Sequence, residues 1–97
     1  MPYTIRMIQS FCSKALKLFW MKGDESKLPQ NTSDRIRRQL TALDAATAPE
    51  QMDFPGWFFH GLNGKPKRWS VRVTANWRLT FGFEGQDAVA VDLEDYH

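Results

Sequence analysis

One cysteine in 97 residues, Cys12, excludes an internal disulfide and any all-cysteine metal site. Such usage suits a reducing compartment, and a small buried hydrophobe on an early helix is the role expected of that side chain. No apolar run approaches the roughly 18 residues of a membrane span, and no charged start leads into an apolar stretch of signal type. The expected location is therefore the cytoplasm, away from any membrane. Neither His60 nor His97 has a second histidine or a cysteine at ligand spacing, so no metal and no cofactor is expected. GxSxG elbows, phosphate-cradling P-loops, internal repeats and low-complexity tracts are missing as well.

The most informative absence is local. Between Phe54 and Phe83 there is no Asp or Glu, while Lys65, Lys67, Arg68, Arg72 and Arg78 are all basic. From Glu84 onward the sign reverses, with Glu84, Asp87, Asp92, Glu94 and Asp95 and no Lys or Arg. A basic stretch fits a solvated face or, with aromatics interleaved, the binding of a polyanion, and composition alone does not separate the two. What is present is otherwise ordinary for a globular chain, at 42% hydrophobic and 25% charged residues. The length suits a single domain over 1–97, with a core expected over 7–97 and residues 1–6 as an extension.

The hydrophobic period changes along the chain. A short strand is expected over Ile5 to Gln9. FCSKALKLFWM then puts Phe11, Ala15, Leu18 and Phe19 near helical spacing, with Ser10 as cap. After the polar GDESKLPQN loop, Thr32 or Ser33 is expected to cap a second helix running to about Ala46, with Ile36, Leu40 and Leu43 as its apolar stripe. Pro49 and Pro55 bracket a connector. A short strand is expected at Trp57 to Phe59. Trp69, Val71 and Val73 then alternate with polar residues, as do Trp77, Leu79, Phe81 and Phe83. Ala88 to Leu93 is apolar at nearly every position and reads as a strand covered on both faces. The order β-α-α-β-β-β-β predicts an α+β fold with two N-terminal helices packed on one face of a mainly antiparallel sheet.

The link around Thr74, Ala75 and Asn76 makes a hairpin in which Val73 faces Trp77, Val71 faces Leu79 and Trp69 faces Phe81. The same register sets Arg72 opposite Arg78 on the other face, where like charges destabilise a ladder. Two readings fit: an anion site built from two guanidiniums, or arginines that each pair with a carboxylate of the acidic end. Were the last strand to lie beside this hairpin, Arg72, Arg78, Tyr96 and His97 would come within reach of one cleft, with His60 on the preceding strand. Such a set has the groups needed to cleave RNA: a base for the 2′-OH proton, arginines for the phosphorane, and an acid for the leaving oxygen. Tyr96 suits stacking or proton movement.

The ordered segments LDAAT, PGWFFHGLNG, RWSVRVTANWRLTFGFEG and DAVAVDLEDYH resemble the HigB-type killer proteins of bacterial toxin–antitoxin systems, within the RelE/ParE-like superfamily. The resemblance runs from Met7 to His97. It implies an α+β toxin that enters the ribosomal A site, cuts mRNA to leave a cyclic phosphate, and is held inactive as a monomer within a complex with a helix-turn-helix antitoxin. By the same resemblance the catalytic residues are His60, Arg78, Tyr96 and His97, supported by Asp95; from the hairpin register Arg72 is expected to support them, and from the basic stretch Lys65, Lys67 and Arg68 are expected to bind RNA. The family commonly carries lysine in its L-K-G motif, where this chain has Asn63, which leaves two expectations open: a weaker toxin or one of altered codon preference, or Lys65 or Lys67 supplying that charge. Competing expectations are a non-catalytic toxin that inhibits a protein such as DNA gyrase, on the same fold, and an RNA-binding module that no longer cuts.

Overall fold

A computed structural model describes residues 8–95. Helices α1 (Lys14–Lys22) and α2 (Ser33–Ala45) are followed by a single 3₁₀ turn (Pro49–Met52). Four strands come next: β1 (His60–Leu62), β2 (Arg68–Arg72), β3 (Trp77–Glu84) and β4 (Asp87–Asp95). They pair in the order β1-β2-β3-β4, each neighbour antiparallel. Leu16 and Phe19 of α1 and Ile36, Leu40 and Leu43 of α2 meet Val71, Leu79, Phe81, Ala88 and Val91 of the sheet in one buried core. This is the α+β layering that the sequence predicts, and among the described residues no helix covers the other face of the sheet.

Several local expectations shift by a few residues, each for an identifiable reason. Ser13, not Ser10, caps α1 by accepting from the Leu16 N–H at 3.1 Å. Ser10 is otherwise engaged, since its hydroxyl accepts from the Ala90 N–H at 2.8 Å. Thr32 does stand at the N-cap of α2, but its hydroxyl donates to the Pro29 carbonyl at 2.6 Å instead of capping. Of the strand expected over Ile5 to Gln9, residues 5–7 lie outside the described residues. Ile8 and Gln9 form no strand; the Gln9 N–H donates to the Ala88 carbonyl at 2.9 Å, and a parallel bridge joins Phe11 to Val91. No strand forms at Trp57 to Phe59 either. Phe58 has φ 51°, which breaks the extended run, and pairing begins at His60.

β4 is not covered on both faces as expected. Thr80 pairs with Asp92 but Gly82 pairs with Val89, a register shift of one residue that marks a β-bulge. Ala90, with φ 51°, lies within it. The bulge reverses the alternation, so that Ala88 and Val91, three apart, both enter the core at 2% and 0% exposure. The nearly continuous apolar run therefore records a change of phase along one half-buried strand. An L-residue in the left-handed region costs about 1–2 kcal/mol. Ala90→Gly should consequently be neutral or about 1 kcal/mol more stable in urea unfolding, whereas Ala88→Gly should lose about 1 kcal/mol or more. Equal losses from both would contradict the bulge.

Candidate active site

The helix-free face of the sheet is set by alternation on the strands. With Val71, Leu79 and Phe81 turned to the core, Arg68, Ser70, Arg72, Arg78 and Thr80 turn the other way. Register arranges them in rows across the strands. His60 pairs with Ser70, Ser70 with Thr80, and Thr80 with Asp92; in the adjoining row Arg72 pairs with Arg78, and Arg78 with Glu94. The hairpin register read from the sequence is thus the observed one, and the two arginines stand directly opposite each other. Phe58, His60, Ser70, Arg72, Trp77 and Arg78 line a cleft of about 270 Å³ including its open mouth. Most of that space is open solvent and the enclosed part is only about 30 Å³, far below the roughly 300 Å³ and upward of ligand-enclosing sites, so a polymer would lie across this cleft and not be enclosed by it.

Arg72 and His60 are moored in different ways. The main chain of Arg72 is held three ways: its N–H donates to the Trp57 carbonyl at 2.7 Å, and its own carbonyl accepts from Arg35 Nε at 3.1 Å and Gln39 Nε2 at 2.8 Å. Gln39, fully buried on α2, thereby links the helical layer to the arginine pair. The Arg72 guanidinium lies over the Phe58 ring, 4.4 Å from its centroid. An exposed cation–π contact contributes about 0.5–1 kcal/mol, no more than the about 1–2 kcal/mol that the left-handed backbone of Phe58 costs. Stability alone therefore does not account for this arrangement. His60 is exposed, and its Nδ1 lies 3.3 Å from the Phe58 carbonyl. A carbonyl only accepts, so as a hydrogen bond this contact has Nδ1 as its donor.

Other residues expected at the site are placed differently. Arg68 is half-buried and crosses Gly82, donating through Nη2 to Thr80 Oγ1 at 3.0 Å and to the Ala90 carbonyl at 2.9 Å. A Cβ at Gly82 would meet Arg68 Nη1 at 3.8 Å, so a methyl fits but a longer side chain would displace the arginine. Thr80 in turn donates to Glu94 Oε2 at 2.6 Å, so Arg68, Thr80 and Glu94 form one hydrogen-bonded chain across β2, β3 and β4. Lys65 is exposed in the β1–β2 loop. The Lys67 ammonium lies against Gly61, 2.8 Å from where a Cβ would be, on the side that faces Trp69 and away from His60. Asp95 ends β4 opposite Trp77, while Tyr96 and His97 lie outside the described residues. Among the described residues no helix is long and apolar enough to cross a membrane.

The sequence reading did not single out Ser70, Thr80, Glu94, Phe58 or Gln39. Alternation with Arg72 and Arg78 was signal enough for Ser70 and Thr80. Nothing local distinguishes Phe58 from its neighbours Trp57 and Phe59.

The sequence that makes this fold matches a known family. Residues 9–97 match the family model of HigB-like toxins, the RelE-like toxins of type II toxin–antitoxin systems, and the chain belongs to that family. It is accordingly a toxin, and an antitoxin is its partner. Among individual proteins, the chain is 42% identical over 92 residues to Endoribonuclease HigB of Proteus vulgaris, covering 94% of this chain and 100% of that protein.

The Arg68–Thr80–Glu94 chain yields a direct expectation. Thr80→Val keeps the shape but removes the hydroxyl that both partners use, at a site with no exposure. The loss in urea unfolding should be about 1–3 kcal/mol. A change within a few tenths would show that the chain of hydrogen bonds holds nothing in place.

Proposed function

We propose that this toxin is an mRNA endonuclease that acts in the ribosomal A site and so stops translation. The observation that carries the reading is the facing pair Arg72 and Arg78 with His60 one row away, on a sheet face that no helix covers. Its relative in Proteus vulgaris is named as an endoribonuclease, which supports the same chemistry. In the proposed step His60 Nε2 takes the proton of a ribose 2′-OH, and the 2′-oxygen forms a bond to phosphorus. The P–O5′ bond breaks, and the 5′-oxygen receives a proton from the Tyr96–His97 end of the chain, where Asp95 supports them. The products are a 2′,3′-cyclic phosphate and a 5′-hydroxyl. Arg78, with Arg72 beside it, neutralises the charge that builds on the phosphorane.

Dependence on the ribosome follows from the shape of the cleft. A shallow site cannot by itself align a 2′-oxygen with phosphorus and the leaving oxygen, and that alignment is worth several orders of magnitude in rate. The ribosome holds the message in line, and the toxin supplies the proton transfers and the positive charge. Lys65 is the better placed of the two loop lysines to stand in for the lysine replaced by Asn63, because Lys67 lies on the far side of β1. The antitoxin is proposed to be a helix-turn-helix protein that binds a single toxin domain, and the pair to work in the cytoplasm.

Primer extension on a defined message in a purified translation system tests this. The intact protein should give discrete cuts that need ribosomes. His60→Gln should slow single-turnover cleavage by about 10²- to 10⁴-fold, Arg78→Gln by about 10²- to 10³-fold, and removal of His97 should abolish the cuts. An intact protein that binds ribosomes and leaves the message whole would overturn the assignment.

A further inference from the structure

Met21, Phe54 and Phe58 are the large apolar side chains left exposed among the described residues, and of these only Phe58, at 60%, lines the cleft. Its neighbour Phe54 folds against Trp57 with ring centroids 4.6 Å apart, as an aromatic kept for packing does. Phe58 instead adopts φ 51°, a conformation uncommon for a bulky residue, and this sends its ring to the cleft rim beside Arg72. Strain of this kind concentrates where a ligand is held. The partner cation is equally fixed, because the Arg72 main chain is tied to α2 through Arg35 and Gln39 and to the preceding loop through Trp57. The result is a ring backed by a guanidinium, two residues from His60, with much of its surface in water.

We propose that Phe58, braced by Arg72, is a stacking platform for a nucleobase of the message next to the phosphate that is cut. The proposal rests on the endonuclease reading and adds a subsite to it. Proteins grip single-stranded RNA by stacking unpaired bases on aromatic rings, and every base offers a π-face, so the platform contributes affinity without reading base identity. The guanidinium behind the ring adds attraction for the adjoining phosphate. One short segment thus serves the reaction twice: the Phe58 carbonyl orients His60 and the Phe58 ring holds the base beside it.

The test compares the intact protein with Phe58→Leu and Phe58→Trp on programmed ribosomes. Urea unfolding of each variant verifies that it folds. In single-turnover cleavage Phe58→Leu should raise the half-saturating toxin concentration by about 5- to 150-fold, the range of one lost stacking contact, with little change in the maximal rate. Phe58→Trp should restore it. In parallel, a message with 2-aminopurine in the A-site codon and a 2′-O-methyl block at the cut reports stacking without cleavage. Saturating intact toxin and Phe58→Trp should quench its fluorescence alike, and Phe58→Leu should not. Cleavage with no difference in affinity or quenching between Phe58 and Phe58→Leu overturns the platform and leaves the nuclease standing. Phe58-dependent quenching without cutting of the unblocked message supports the platform and removes the nuclease reading.

Discussion

Because Trp69, Val71 and Val73 must meet Phe81, Leu79 and Trp77 to close the core beneath the helices, β2 and β3 can pair in only one register. A slip by one residue would turn the whole apolar set outward. The remaining arrangement follows from that constraint. With the core side chains committed, Ser70 and Thr80 fall in one row of the opposite face, Arg72 and Arg78 in the next, and β1 and β4 extend those rows to His60, Asp92 and Glu94. The hydrophobic effect thus sets two arginines directly opposite each other on the ladder, a pairing that like charges disfavour.

The surroundings of the arginine pair offset this conflict in different ways. Arg72 is fixed through its main chain by α2 and covered by Phe58, while Arg78 has Glu94 across the ladder on its other side. Glu94 is itself anchored by Thr80, whose hydroxyl is tied to Arg68 and through it to the bulge at Ala90. The bulge connects this network to the start of the described chain, since Ser10 accepts from the Ala90 N–H. Arg68 is thus engaged in tying β3 to β4, while the Arg72 guanidinium stays at the cleft, over the Phe58 ring.

Much of this was legible in the sequence because it depends on periodicity. The alternation in RWSVRV and WRLTFGF determined the hairpin register, and the Ile36, Leu40 and Leu43 stripe determined how α2 packs. Features that depend on single backbone conformations were not legible. The left-handed turns at Phe58 and Ala90 displaced β1 by three residues and reversed the phase of β4, and neither residue is a glycine or asparagine that would advertise such a turn. The contacts of Arg68 and Lys67 were hidden for another reason. A basic residue near a site looks the same in sequence whether it faces a ligand or clips two strands together, and only the lane across Gly82 and the approach to Gly61 distinguish them.

The most direct measurement is a double-mutant cycle on stability with Arg72→Gln, Arg78→Gln and the pair, read by urea unfolding at low and high salt. The cycle isolates the interaction between the two guanidiniums from their contacts with Phe58 and other neighbours. The expected result is an unfavourable coupling of a few tenths to about 1 kcal/mol, shrinking as salt rises, in variants whose cleavage is slowed. A coupling that is zero or favourable would contradict the view that the core imposes a costly arginine pair and that the reaction depends on it.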